Sequence, residues 1–287
     1  MNSLDTLVDQ AWSDHAKEPA AVAARLTEGL LLVEGDDHVS RLAMLAHHVL
    51  GEHLRQWVEA MAFLTALASR GVHGEGGADT LARCQASLRL CNDVKYEFTS
   101  MGESDQCRAT VVAACNLAAT DPARATTLLE DAVMRASTLP DGDPGVRSLA
   151  AFSNNIAGTL REVDPLSAEQ RDVMIRSAQV ARTQWERAGT WREVERAEYR
   201  LAVCWLAAGD AKRAMQHAKA CNLIVQQNGS EPLELFFAAE ALALAAHALG
   251  DELTHGRAIA TAQAAFAALQ PDDQAWCRTT VEKLTSS

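Results

Sequence analysis

The chain is expected to be all-α, built from antiparallel helical hairpins stacked side by side, and three observations predict this. Ala, Leu, Arg, Glu and Gln dominate its patterned stretches, and alternating β-branched runs bounded by turns are absent. Helix start and stop signals recur along most of the 287 residues. The turns between periodic segments are short, which places successive helices as antiparallel neighbours.

The elements follow in order. Helices are expected over 2–15, 19–34, 37–50 and 53–70, with Gly51 closing the third by taking the left-handed C′ conformation. The stretch "SRGVHGEGGAD", 69–79, holds four glycines and reads as a loop. The expected organisation is therefore degenerate N-terminal hairpins over 1–70, a glycine-rich loop at 71–78, and a helical repeat array over 79–287 that ends in a capping helix. Helix 79–98 carries Cys84 and Cys91 seven apart on one face, and 105–119 carries Cys107 and Cys115. Asp121-Pro122 opens 122–138 and Asp143-Pro144 opens 145–162, each an N-cap followed by proline in the first turn. Ser167 with Gln170 opens 167–188 and Thr190 with Glu193 opens 191–208, both as capping boxes. Helices 210–228, 232–249, 251–269 and 272–285 complete the chain, and Gly189, Gly209, Gly229 and Gly250 stand where helices should end.

Composition narrows the function classes. Hydrophobic residues make up 48% and charged residues 22%, as in a folded chain. The net charge of −12, with no dense Lys/Arg run, argues against nucleic acid as a partner. The N-terminus lacks the apolar core of a secretory signal. The most apolar stretch, Pro232 to Gly250, is interrupted by Glu234, Glu240 and His247, so a buried helix is expected rather than a membrane span. Seven cysteines without a CxxC read as reduced core residues in a cytoplasmic protein.

A repeat is visible in the second half. In "AEYRLAVCWLAAGDAKRAMQHAKAC", 197–221, Leu201, Ala202 and Trp205 lead to a Gly209-Asp210 corner, with Ala214 and Cys221 on the following helix. The next hairpin repeats this with Leu242, Ala243, Ala246, Gly250-Asp251, Ile259 and Ala262. An earlier hairpin carries Asn154-Asn155-Ile156-Ala157, and 111–133 fits more loosely around Asp121. These residues resemble the tetratricopeptide repeat, well over 145–269, fairly over 105–138 and poorly before that. Ala211, Ala218, Gln226 and His255 depart from the family pattern.

That resemblance implies a TPR-like right-handed superhelix, an α-solenoid whose concave groove is lined by the first helix of each pair. The lining positions fall on Asn154 and Asn155, on Arg196, Tyr199, Arg200 and Val203, and on Phe237, Glu240, Leu244 and His247. Asn amides suit an extended peptide backbone, and Arg196 and Arg200, four apart, suit a carboxylate. The implied function is non-enzymatic: a protein or peptide interaction module, in the manner of a bacterial regulator or a secretion-type chaperone. No cofactor is expected. A Lys-rich clamp for chaperone tails is absent. A self-associating scaffold, with a possible homodimer, is the alternative.

No Gly-rich phosphate loop, G-x-S-x-G or paired carboxylate motif supports an enzyme. His217 and His247 read as structural histidines. The cluster "HHVLGEH", 47–53, is the one feature that suggests a metal-dependent enzyme. It matches neither HExxH nor its inverse, and no third ligand is specified. A helix ending at Gly51 would leave Glu52 and His53 out of step with His48, so no metal ligands are expected there. His48 maps instead to a groove-facing position of a weak repeat.

Overall fold

The computed structural model describes residues 3–71 and 74–286. These hold fourteen α-helices and one π-helical segment, with no strand among them. The chain forms two compact units, Met1–Leu139 and Pro140–Ser287.

The first unit contains α1 (Leu4–Asp14), α2 (Pro19–Leu30), α3 (Asp36–Ala46), the π segment His47–His53, α4 (Trp57–Ala68), α5 (Glu75–Asn92), α6 (Glu103–Leu117) and α7 (Pro122–Ala136). Val22, Leu26, Leu42, Leu45, Leu64 and Leu67 form the middle of one buried cluster that joins α2, α3 and α4. Burying side chains of this size is worth about 1.5–3 kcal/mol each, which is what holds individually marginal helices in place. Beyond it, α5 packs on α6 and α6 on α7.

Three boundaries differ from expectation, each for a local physical reason. Gly51 does not end a helix: α3 runs on through the π segment, in which Leu54 N–H donates to the Val49 carbonyl at 3.0 Å. Glycine eases the packing there, because a Cβ would stand a tight 3.1 Å from Leu88 Cδ2. Helix α5 begins at Glu75, inside the glycine-rich stretch. Asp36 Oδ1 accepts from the backbone N–H groups of Gly74 and Gly77, at 2.6 and 2.7 Å, and so caps the helix from α3. Val72 and His73 of the expected loop lie outside the described residues. At its far end α5 stops at Asn92, where Asp93 Oδ1 accepts from Lys95 N–H and turns the chain.

The second unit contains α8 (Pro144–Arg161), α9 (Ala168–Ala188), α10 (Trp191–Ala207), α11 (Ala211–Gln227), α12 (Pro232–Leu249), α13 (Glu252–Ala267) and α14 (Pro271–Ser286). Local caps set its starts. Asp143 caps α8, full capping boxes at Ser167 and Thr190 open α9 and α10, and Asp210 and Asp251 cap α11 and α13. Gly209 and Gly250 take left-handed φ of 81° and 69° at the corners. Gly189 is extended instead. It is needed because a Cβ would meet the Trp185 carbonyl and Glu193 at 2.9 Å.

Successive helices pack in pairs: α8 on α9, α10 on α11, α12 on α13. In addition α8 packs on α10 and α10 on α12, which makes these three one layer. Among the described residues α9, α11 and α13 pack on that layer and not on one another. Helix α12 is long and apolar enough to cross a membrane by composition. Its alanines at 238, 239, 241, 243, 245 and 246 are fully buried against α10, α11 and α13, as a core helix requires. All seven cysteines are free, and burial pushes the Cys91 and Cys204 thiols up to about 11, which makes them inert.

Candidate functional site

The layer of α8, α10 and α12 carries the residues that the repeat pattern of the second half places on the groove, and the structure joins several of them. Tyr199 Oη donates to Glu240 Oε2 at 3.0 Å, from α10 to α12. Arg196 forks the Glu234 carboxylate, with Nε 3.3 Å from Oε2. Arg200 turns the other way and donates from Nε to Asn154 Oδ1 of α8 at 3.4 Å. Its guanidinium lies flat on α8 at Gly158, where a Cβ would come within 3.3 Å of Cζ. The two arginines therefore do not share one carboxylate. Among the described residues no carboxylate lies within 4 Å of Arg200.

Asn155 is exposed beside Asn154. His247 is exposed too, its ring 5.1 Å from His255, whose Nδ1 meets the Ala243 carbonyl. Val203 is only 4% exposed, so it belongs to the core and not to the lining. Tyr199 and Phe237, both expected on the lining, belong to an aromatic run that ends on a residue sequence reading missed: Tyr199 stands edge-on to Phe237 at 5.6 Å, and Phe237 meets Trp276 of α14 at 5.2 Å. Trp276 is 66% exposed. Its one signal in the sequence was a lone tryptophan in the terminal helix.

Burial pushes the Glu240 carboxyl up, against the opposing pull of Tyr199 and Arg161. Burial also raises the Tyr199 hydroxyl, and Glu240 raises it further, so this pair stays a neutral phenol against a carboxyl. Behind the layer lies a buried acid cluster. Glu195 Oε1 accepts from Cys221 Sγ at 2.8 Å, and burial, reinforced by the neighbouring Glu234 charge, pushes Glu195 up to about 8. Glu198 is paired with Arg182 at 2.5 Å and with His217 at 2.7 Å. Burial would raise Glu198, but the His217 and Arg182 bonds hold it below the usual carboxylate range. His217 is thus bonded into this cluster through Glu198.

The first unit holds a second constellation. His48 Nδ1 lies 2.6 Å from Glu52 Oε2, and His48 Nε2 lies 3.0 Å from His53 Nε2. Glu52 and His53 are therefore in register with His48, contrary to the expectation built on Gly51. Burial would raise Glu52, yet the bond from His48 and the surrounding imidazoles bring it below its ordinary value. His15, the C-cap of α1, completes the group, with one nitrogen from each of the three histidines within 4.8 Å of the others. Nothing local in the sequence ties His15 to residues 33 positions away. His47 points elsewhere, into the core, where its Nε2 meets Ser87 Oγ at 3.1 Å. Burial lowers it to about 4, so this imidazole is neutral.

No family model matches this chain, and no curated protein matches it.

Proposed function

We propose that the second unit is a tetratricopeptide-like repeat array that binds an extended acidic segment of another protein on the α8/α10/α12 layer, without catalysis. The carrying observation is Arg200: a half-buried guanidinium between two helices, held by Asn154 and Gly158 and left without a carboxylate. An unpaired, oriented Arg fork is a ready receptor for a carboxylate in a bidentate geometry. Arg161 adds positive charge near Tyr199 and Glu240. Phe237 and the exposed Trp276 offer an apolar platform next to that charge, the residue types that anchor interfaces. Exposed Asn155 supplies a donor and an acceptor for the segment's backbone.

Helices of the first layer touch one another and those of the second do not, which supports a concave face on the first layer. The proposed arrangement is the repeat family's right-handed superhelix with a groove, as in a cytoplasmic bacterial regulator or a secretion-type chaperone.

Panning a random-peptide display library against the full chain tests the reading. Selected peptides should combine acidic residues with an aromatic or aliphatic one. In fluorescence anisotropy they should bind Arg200→Glu at least about tenfold more weakly, since a charge-assisted hydrogen bond is worth about 1.5–3 kcal/mol. Arg171→Glu, on exposed α9, should bind as the wild type does. Equal binding to Arg200→Glu, or no reproducible selection, contradicts it.

A further inference from the structure

The geometry points to a zinc site in the first unit, formed by His15, His48 and His53, with Glu52 and the Trp12 carbonyl fixing the ring orientations. It stands apart from the peptide face and does not depend on it.

Three features make this more than a gathering of imidazoles. The first is the backbone. On an α-helix residues five apart point about 140° away from each other, so His48 and His53 would diverge. The π segment bonds i to i+5, which brings them onto one side, and π turns of this kind are concentrated at functional sites. The turn closes with Arg55 at a left-handed φ of 55°, a conformation that side chains rarely adopt.

The second is the surrounding hydrogen bonding. A metal-bound imidazole ordinarily gives its other N–H to a carboxylate or a backbone carbonyl. His48 presents Nδ1 to Glu52 at 2.6 Å, and His15 presents Nδ1 to the Trp12 carbonyl at 2.6 Å. A backbone carbonyl can only accept, so His15 donates from Nδ1 and Nε2 is the nitrogen left to meet a metal. Glu52 orients His48 in the same way. His48 Nε2 faces His53 Nε2, and the His53 ring lies 4.6 Å from the His48 ring and 5.2 Å from the His15 ring. His53 then ligates through Nε2 with its proton on Nδ1. Trp12 walls the group on one side, 5.1 Å from His48 and 5.2 Å from His15.

The third is the donor set. Tetrahedral zinc with bonds of about 2.0–2.1 Å separates its nitrogens by about 3.4 Å. The His48–His53 pair, at 3.0 Å, is close to that, and the limit of 4.8 Å for the whole group is closed by small ring rotations at a partly exposed site. Neutral imidazoles without thiolates suit zinc and its late transition-metal neighbours, not calcium or magnesium. Three histidines leave a fourth position for water or an incoming ligand.

The test uses tag-free full-length protein, stripped with a chelator and titrated with zinc in competition with a chromogenic chelator. Cobalt serves as the spectroscopic probe. Wild type should take up one equivalent and give the intense visible absorption of tetrahedral cobalt. His48→Gln, His53→Gln and His15→Gln should each weaken zinc at least about 100-fold and lose that spectrum. Glu52→Gln, which spares every ligand, should weaken it about 10–100-fold. His38→Gln, in the same unit and outside the group, should bind as wild type. Far-UV circular dichroism confirms folding, and His15→Gln, at the end of α1, carries the test if the π-segment variants unfold. The site is overturned if wild type shows no stoichiometric zinc at micromolar concentration. It is also overturned if His38→Gln weakens binding as much as the ligand variants do, or if the triple histidine variant still takes one equivalent.

Discussion

Glu195→Gln should stabilise the protein, and by an amount that depends on pH. Glu195 has no solvent exposure, and its Oε2 makes no hydrogen bond. Burial first, then the like charge of Glu234, lifts its pKa from 4.5 to about 8. The folded state therefore keeps a proton that the unfolded chain releases between those two values. The acid's contribution is fully present below about pH 4.5, is lost as the pH rises through the window, and is flat above about 8. At pH 7 the gap is about 2.5 pH units, which at about 1.36 kcal/mol per unit costs about 3 kcal/mol. Glutamine keeps the shape and the acceptor for Cys221 and never ionises. Urea denaturation of both proteins should give equal stabilities near pH 4.5 and a gain of about 3 kcal/mol for the variant at pH 7. A gain that is the same at pH 4.5 and pH 8, or a loss at pH 8, would refute the reasoning.

Gly51→Ala should cost about 1–3 kcal/mol by urea denaturation, because the added methyl presses on Leu88 in a closed core; an unchanged midpoint contradicts this. Phe236→Ala empties the centre of the α12–α13 cluster and should cost about 3–5 kcal/mol by the same assay. Asp121→Ala removes the side chain that accepts from Arg124 N–H at the start of α7 and should cost about 1 kcal/mol, with loss of helical signal confined to the first unit.

Most of the helix starts were legible because their causes are local. Asp121, Asp143, Ser167 and Thr190 bond to backbone two or three residues ahead, a distance that a sequence displays directly. The start of α5 was not legible, since its cap is Asp36, some forty positions earlier. Gly51 misled for a related reason. A glycine that ends a helix and one that admits a neighbouring Leu88 look the same in a sequence, and only packing distinguishes them. On the α8/α10/α12 layer, the repeat pattern pointed to Asn154, Arg196, Tyr199, Arg200 and Glu240, which the structure links in pairs. It could not tell that Arg196 is consumed by Glu234 while Arg200 is left open, because both partners come from other helices. His15 and Trp276 were missed on the same ground: each reaches its group only through tertiary contact.

Site-specific photocrosslinking tests the central claim, a segment held on the α8/α10/α12 layer, most directly. Benzoylphenylalanine is placed at Asn155 and Leu244 on that layer and at Arg171 on α9, all exposed positions. Each full-length protein is irradiated with a selected acidic peptide. The account predicts peptide adducts at 155 and 244 that excess unlabelled peptide suppresses, and none at 171. Adducts at 171 with none at 155 or 244 would contradict it.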